Sequence, residues 1–193
     1  QPLRLPTPPP VPMPRPAPVV SRNRPDPEPS KMDVVNEKGD NNCLFRAVAH
    51  QIYGDADKFH AQVRREACDW LATNEGKAHF EPLIVKHTGV FLGGDVDNVR
   101  RTFKKYISHM RQPGMWGGDV EIAAMEHFYR RNIRIRENGN WVNRGFTWEN
   151  FNYPIRVERV GESHYNSLSD PSHPDRWGFG RARSDGMNAN AKR

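Results

Sequence analysis

The sequence contains no run of about 18 apolar residues, so nothing in it predicts a membrane-spanning helix. Its first residues lack the positive charge followed by an apolar stretch that marks a secretory signal. Only two of the 193 residues are cysteines, Cys43 and Cys68, too few for a secreted domain that relies on disulfides. We therefore expect a cytoplasmic or nuclear protein without a membrane partner. Because the chain lacks an initiator methionine, we also expect a fragment or a processed product.

A concentrated basic block is also missing. Lysine and arginine outnumber aspartate and glutamate by 29 to 23, a net charge of +6. This excess is not gathered into a run of about five to eight basic residues, and no zinc-finger spacing or RNA-recognition motif is visible. Diffuse charge is typical of a solvated basic surface, so we do not expect nucleic acid as a partner.

Proline and apolar content divide the chain into three regions. Residues 1–30 hold 12 of the 17 prolines, which predicts an extended tail or linker over residues 1–32. Its Pro-x-x-Pro spacings, such as Pro6 to Pro9, can bind SH3-type domains, although any proline-rich linker contains them by chance. A folded domain is predicted over residues 33–170, followed by a flexible basic tail over residues 171–193.

Apolar residues recur at helical spacing in the first part of the domain and at strand spacing in the last part. The predicted helices run from about Cys43 to Gly54, from Asp55 or Asp57 as N-cap to Leu71, over 78–86, from Asp95 to Met110, and from Asp119 as cap to Phe128. The predicted strands cover 132–136, a return strand from Trp141 after an Asn138-Gly139 turn, 154–157 and 165–168. Helices followed by a small sheet indicate an α+β fold or a helix-sheet-helix sandwich.

Cys43 is predicted at the first turn of a helix, where the macrodipole and free backbone N–H groups favour an ionised, nucleophilic thiol. The preceding residues Asp40, Asn41 and Asn42 form a loop that can direct backbone N–H groups at the oxygen of a tetrahedral intermediate. A free cysteine on an amphipathic helix is more often a small buried hydrophobe, as we expect for Cys68. The functional interpretation of Cys43 therefore depends on a base elsewhere in the chain.

His164 is the candidate base, because it precedes a side-chain amide at Asn166. Residues at i and i+2 share one face of a strand, so the Asn166 amide oxygen can accept a hydrogen bond from the Nδ1–H group of the imidazole. Asp40 competes for this role. Its carboxylate can orient His164, cap the Cys43 helix or hold the oxyanion loop, and the sequence alone does not decide among them.

The stretch from Asp40 to Val48 resembles the signature of ovarian tumour (OTU) domain cysteine proteases, and the stretch from His164 to Ser167 resembles their histidine motif. Further family landmarks follow in the expected order: Gln51-Ile52-Tyr53-Gly54, Trp116-Gly117-Gly118-Asp119-Val120-Glu121 and Pro154-Ile155-Arg156-Val157. The first and last of these are most similar to the subgroup that includes deubiquitinating enzyme A.

The resemblance implies a papain-like OTU fold, with a small central β-sheet sandwiched between helices. It implies thiol-dependent hydrolysis of isopeptide bonds between the ubiquitin C-terminus and lysine, with ubiquitin or polyubiquitin chains as partners and no cofactor or metal. By the same resemblance Cys43 is the nucleophile, His164 the general base, and Asp40 and Asn166 the supporting polar residues. The sheet and the loop from Gly89 to Gly94 are the expected ubiquitin contact surface.

One position departs from the commonest family pattern, and at another the family tolerates either asparagine or aspartate. Asn41 stands where glycine is usual, and asparagine is the least costly replacement if the position needs a positive φ. Asn166 is uncharged, although an amide still fixes the histidine tautomer, as in Cys-His-Asn proteases. Trp116 either closes over the peptide channel or is a core or hinge aromatic. The alternative function is a catalytically weak ubiquitin-binding scaffold recruited through the proline-rich tail.

Overall fold

A computed structural model of the chain describes residues 31–87, 96–143 and 154–170. The helices are α1 (Cys43–Tyr53), α2 (Ala56–Leu71), α3 (Asn74–His87), α4 (Val96–Met110) and α5 (Asp119–Tyr129). The strands are β1 (Asp33–Val35), β2 (Ile133–Glu137), β3 (Asn140–Asn143), β4 (Ile155–Val160) and β5 (His164–Ser169). The predicted α+β class is confirmed. Residues 1–30 of the proline-rich tail, the loop from Gly89 to Gly94 and the C-terminal tail lie outside the described residues.

Local hydrogen bonds set the helix boundaries. α1 ends at Gly54, whose positive φ of 75° lets its N–H group reach the carbonyl oxygen of His50 at 2.9 Å. Of the two predicted caps of α2, Asp55 is the one that accepts from a backbone N–H group, that of Lys58 at 2.9 Å. None of the described helices is long and apolar enough to cross a bilayer.

Two predicted helix starts were wrong. α3 begins at Asn74 rather than near residue 78, because the Thr73 hydroxyl accepts from the Gly76 N–H group at 3.0 Å and so caps an earlier turn. α5 is capped at Gly118 rather than at Asp119. The Gly118 backbone is extended there, and its N–H group donates to the Glu121 carboxylate at 2.8 Å.

The five strands form one mixed sheet in the order β1-β5-β4-β2-β3, in which only β2 and β4 run parallel. The predicted turn at Asn138-Gly139 is confirmed, with φ values of 49° and 78°. Strand β1 was not predicted, because three residues are too few to establish a period of two. It pairs with β5 and is an edge strand of the sheet.

Helix α1 joins the helices to the sheet. It packs against β4 and β5 on one side and against α2 on another, and most of its side chains are buried. Gln51 fixes this contact: its amide N–H donates to the Ser167 hydroxyl at 3.0 Å, and its amide oxygen accepts from the Arg156 backbone N–H group at 2.8 Å. These two bonds attach the C-terminal half of α1 to β4 and β5.

Candidate active site

Cys43 is the first residue of α1, as predicted, and it is 5% exposed. Its thiol points towards the carbonyl oxygen of Ser163, with Sγ and this oxygen 3.6 Å apart. Ser163 immediately precedes His164 in the chain. Folding therefore brings together the cysteine motif and the histidine motif, although 120 positions separate Cys43 from Ser163.

His164 opens strand β5, and its Nε2 atom lies 2.9 Å from Oδ1 of Asn166. The side chains at i and i+2 meet, as the strand periodicity predicted. The predicted ring nitrogen was wrong, however. Since Oδ1 only accepts, Nε2 carries the proton in this contact, and in the neutral ring Nδ1 is then the nitrogen with a free lone pair.

Asn166 is buried and receives a second hydrogen bond on the same oxygen. The backbone N–H group of Glu37 donates to Oδ1 at 3.1 Å. This bond ties the segment before α1 directly to the partner of His164. The Glu37 side chain is 6% exposed, and burial raises the pKa of its carboxyl from 4.5 to about 7. Nothing in the sequence pattern indicated this residue.

Asp40 does not contact His164 in any hydrogen bond among the described residues. Its carboxylate accepts from Nη2 of Arg46 at 2.6 Å and from Nε at 3.1 Å. It also accepts from the Asn42 backbone N–H group at 3.1 Å. The hydrogen bonds from Arg46 hold the pKa of the Asp40 carboxyl well below its usual range. Of the roles left open by the sequence, this geometry fits that of holding the loop.

Asn42 is buried, and its side chain links this loop to other segments through hydrogen bonds. Its Oδ1 atom accepts from Nη2 of Arg64 at 2.7 Å and from the Gly114 N–H group at 3.0 Å, while its amide nitrogen donates to the Asp40 carbonyl at 3.0 Å. The backbone N–H group of Asn42 was expected to face an oxyanion. It donates to the Asp40 carboxylate instead, so that expectation was wrong for this group.

Arg64 is a buried cation that sequence reasoning missed. Only 3% of it is exposed, and its guanidinium lies 4.0 Å from the centre of the Phe45 ring. Besides Asn42, it donates to the carbonyl oxygens of Met110 at 3.0 Å and Met115 at 2.8 Å. Its position next to Val63, on the apolar stripe of α2, was the signal that could have identified it.

Asn41 has a φ of 62°, so the condition under which asparagine is the least costly replacement for glycine is met. The residue is exposed, and its side-chain oxygen accepts a hydrogen bond from the indole N–H group of Trp116. Trp116 is 61% exposed, which rules out a core position. The indole instead lies against the loop that precedes Cys43.

The described residues contain neither a second reactive cysteine nor a metal-binding cluster. Cys68 is fully buried, and burial raises the pKa of its thiol to about 11, so it is not a nucleophile near neutral pH. Both cysteines are free. Among residues 31–87, 96–143 and 154–170, no three His, Cys, Asp or Glu side chains are grouped to hold a metal ion.

The site has a buried cysteine at a helix start, next to the residue before a histidine, and the histidine ring contacts a side-chain amide. This arrangement defines the cysteine-protease class of site. The model of the family described as OTU-like cysteine protease matches residues 38–171. The chain therefore belongs to the OTU-like cysteine protease family, as its motifs predicted.

Relatives and solved structures agree with this membership. The chain is 32% identical over 137 residues to OTU domain-containing protein 5-A of Danio rerio, covering 70% of this chain and 21% of that protein. It is 31% identical over 135 residues to the OVARIAN TUMOR DOMAIN-containing deubiquitinating enzyme 6 of Arabidopsis thaliana, covering 68% and 23%. It thus spans about a fifth of the length of these curated relatives.

Among solved structures, the OTUD1 OTU domain superposes with a TM-score of 0.58 at 25% identity, covering 73% of this chain and 87% of that chain. An OTU deubiquitinase from Wolbachia pipientis wMel superposes with a TM-score of 0.54 at 19% identity, covering 76% and 93%. These superpositions confirm the predicted OTU fold.

Proposed function

We propose that this chain is a deubiquitinase, which hydrolyses isopeptide bonds between the C-terminus of ubiquitin and a lysine side chain through a thioester on Cys43. The contact of the Cys43 thiol with the residue before His164 is the observation that carries the proposal. Family membership supports a cysteine-type hydrolase, and the Arabidopsis relative is named a deubiquitinating enzyme. Ubiquitin or polyubiquitin chains are accordingly the proposed partners.

In the first step, the Cys43 thiol transfers its proton to Nδ1 of His164, and the sulfur attacks the carbonyl carbon of the isopeptide bond. Asn166 accepts from the Nε2–H group at 2.9 Å, which keeps the imidazole in the orientation and tautomer that free Nδ1 for this transfer. The start of α1 is a site where backbone N–H groups and the helix dipole stabilise negative charge.

The tetrahedral intermediate then collapses. The carbon–nitrogen bond breaks, and His164 returns the proton to the departing lysine amine, which leaves a thioester on Cys43. Water gives a proton to His164 and attacks the thioester carbonyl. When the carbon–sulfur bond breaks, the sulfur regains the proton from His164, and the ubiquitin C-terminus leaves as a carboxylate after it releases its remaining proton to solvent.

The oxyanion of both intermediates needs backbone donors. The Asn42 N–H group is bonded to Asp40, so we assign this role to the N–H groups of Cys43 and Asn41. The Cys43 N–H group is one of the four at a helix start that have no intrahelical acceptor. The loop turns at Asn41, which has a positive φ. The Asp40 carboxylate holds the loop in that shape by accepting from the Asn42 N–H group.

A ubiquitin probe that carries a thiol-reactive group at its C-terminus tests the proposal. We expect the parent chain to be labelled and Cys43→Ala to remain unlabelled. Cys68→Ala is the matched control and should label like the parent, because its buried thiol does not react. Labelling of Cys43→Ala at the parent rate would place the nucleophile elsewhere. Ubiquitin binding without labelling or cleavage by the parent would favour the ubiquitin-binding scaffold instead.

A further inference from the structure

A second segment, residues 114–117 between α4 and α5, runs beside the loop that precedes Cys43. Its first residue, Gly114, donates its N–H group to the Asn42 side chain at 3.0 Å. The next, Met115, offers its carbonyl oxygen to Arg64 at 2.8 Å. Since Arg64 also binds Asn42, these bonds fix the backbone just before Trp116 to the loop.

The backbone just after Trp116 is fixed by close packing. A Cβ atom added to Gly117 would lie 2.9 Å from Cδ2 of Leu44 and 2.9 Å from Cζ of Phe45, so any larger residue would have to displace these two buried side chains of the first turn of α1. With the backbone held on both sides, the remaining freedom of Trp116 is rotation of its side chain. Its indole is 61% exposed, so core packing does not restrict that rotation.

The contact that does restrict it comes from Asn41. An indole N–H group can only donate, so the side-chain oxygen of Asn41 must be the atom that faces it. Glycine at this position would adopt the φ of 62° at least as easily but would offer no acceptor. The hydrogen bond from Trp116 therefore depends on the side chain of Asn41 and not on its positive φ.

We propose that Asn41 is a positioning residue: its side-chain oxygen holds the indole of Trp116 against the loop that precedes Cys43, as a fixed aromatic wall beside the nucleophile. A wall that is already ordered does not lose side-chain freedom when the substrate binds, so the benefit lies in substrate binding rather than in bond breaking. This inference rests on the proposed hydrolase function for its kinetic consequence, but its structural part does not.

The structural part is tested by the indole N–H signals in a two-dimensional ¹⁵N–¹H spectrum, in which the signal missing from Trp116→Phe identifies Trp116. In Asn41→Gly we expect this signal to move and to exchange faster with water, and in Asn41→Asp, which keeps an acceptor oxygen, to return towards its place in the parent. The signal of Trp141, on strand β3, should stay in place throughout. An unmoved Trp116 signal in Asn41→Gly overturns the proposal, whether or not the chain is active.

The kinetic part is tested with ubiquitin that carries a fluorogenic amide at its C-terminus. We expect Asn41→Gly and Trp116→Phe each to raise KM about three- to tenfold, the size of one lost hydrogen bond, with kcat changed less than about twofold. The double variant should be no worse than either single one. Additive effects, or a loss in kcat with KM unchanged, overturn the proposal.

Two controls separate this effect from unfolding and from failure of the proposed function. Trp70→Phe removes an indole N–H group from α2, outside both the loop before Cys43 and the sheet expected to contact ubiquitin, and should leave KM unchanged. The urea midpoint of Asn41→Gly should fall no further than that of Trp116→Phe, because glycine accepts the positive φ and both variants lose the same hydrogen bond. If the parent hydrolyses no ubiquitin substrate, the proposed function fails, and the Trp116 signal still decides the positioning role.

Discussion

Cys43 is placed by a loop whose shape depends on polar side chains, whereas His164 is placed by a strand that the backbone of the sheet holds in register. On the cysteine side, the Asp40 carboxylate and the Asn42 amide join the loop to two arginines, Arg46 and Arg64. On the histidine side, β5 lies between β1 and β4 and pairs with both.

The two regions should therefore fail in different ways. A backbone ladder survives the loss of most single side chains, since its hydrogen bonds belong to the main chain. A loop held by buried side chains loses several bonds when one of them is removed, and the groups left behind are buried without partners. Stability should respond most to changes on the cysteine side, whereas changes at Asn166 should affect catalysis more than stability.

The largest effect is expected from Arg64→Ala, which tests the stability of the cysteine side. The change leaves the carbonyl oxygens of Met110 and Met115 buried without this donor, and it removes one of the two donors to Asn42. We expect the free energy of unfolding to fall by about 3 kcal/mol or more, measured in urea. Arg65→Ala, at the exposed neighbouring position, is the control and should change it by less than about 0.5 kcal/mol. Equal effects of the two changes would contradict the role of Arg64 in supporting the loop before Cys43.

The next effect belongs to the histidine side. Asn166→Ala removes the acceptor that orients His164, so we expect kcat to fall about 10- to 100-fold, part of what a positioned general base contributes. The fold should persist, because β5 keeps its backbone pairs with β4. Asn166→Asp retains an acceptor oxygen and should recover most of the rate. A parent-like kcat in Asn166→Ala would show that His164 needs no such partner.

A smaller and pH-dependent effect is expected from Glu37→Gln. Burial raises the folded-state pKa of Glu37 from 4.5 to about 7, so its neutral form is favoured, and its contribution to stability is lost as pH rises from 4.5 through 7. The charged groups that act on it are Arg46, Asp57, Asp40 and Lys38, and the ring of His50 lies 3.6 Å away.

Glutamine stays neutral, so Glu37→Gln should match the parent near pH 4 and exceed its unfolding free energy by about 1–2 kcal/mol at pH 8. This is less than the ~3 kcal/mol that the whole displacement would give. Urea unfolding of both chains across this pH range measures the difference. A difference that does not change with pH would contradict the buried, titrating Glu37.

The smallest effect is expected from Asp40→Asn, because the Asp40 side chain is 38% exposed and water weakens its pairing with Arg46. We expect a loss of about 0.5–1 kcal/mol at neutral pH. Since Arg46 depresses the pKa of Asp40, this stabilisation is present above the unfolded value near 3.9 and is lost as pH falls below it. The difference between parent and variant should therefore shrink in acid, and a difference that persists at low pH would mean that charge is not its cause.

Local sequence patterns predicted much of the fold. The apolar spacing in α1, α2 and α5 and the Asn138-Gly139 turn are local features, and the structure agrees with them. Strand β1 was missed because its three residues are stabilised by pairing with β5, far away in the chain. The parallel pairing of β2 with β4 was missed for the same reason, since it depends on which strands become neighbours.

The candidate site shows the same division. The spacing of His164 and Asn166 along a strand predicted their contact, but not which ring nitrogen takes part, because that depends on how the ring turns towards Asn166 in the folded chain. The role of Asp40 stayed open for a similar reason: its carboxylate had several acceptable partners nearby, and the position of Arg46, one turn into α1, decided among them.

By itself the sequence determined the α+β class and the place of Cys43 at a helix start, because each follows from the preferences of neighbouring residues. Only the tertiary structure decided that Glu37 holds Asn166, that Arg64 supports the cysteine loop and that Trp116 lies against Asn41. These contacts join residues far apart in the chain, and a polar side chain selects its partner only after folding has removed water and brought one within reach.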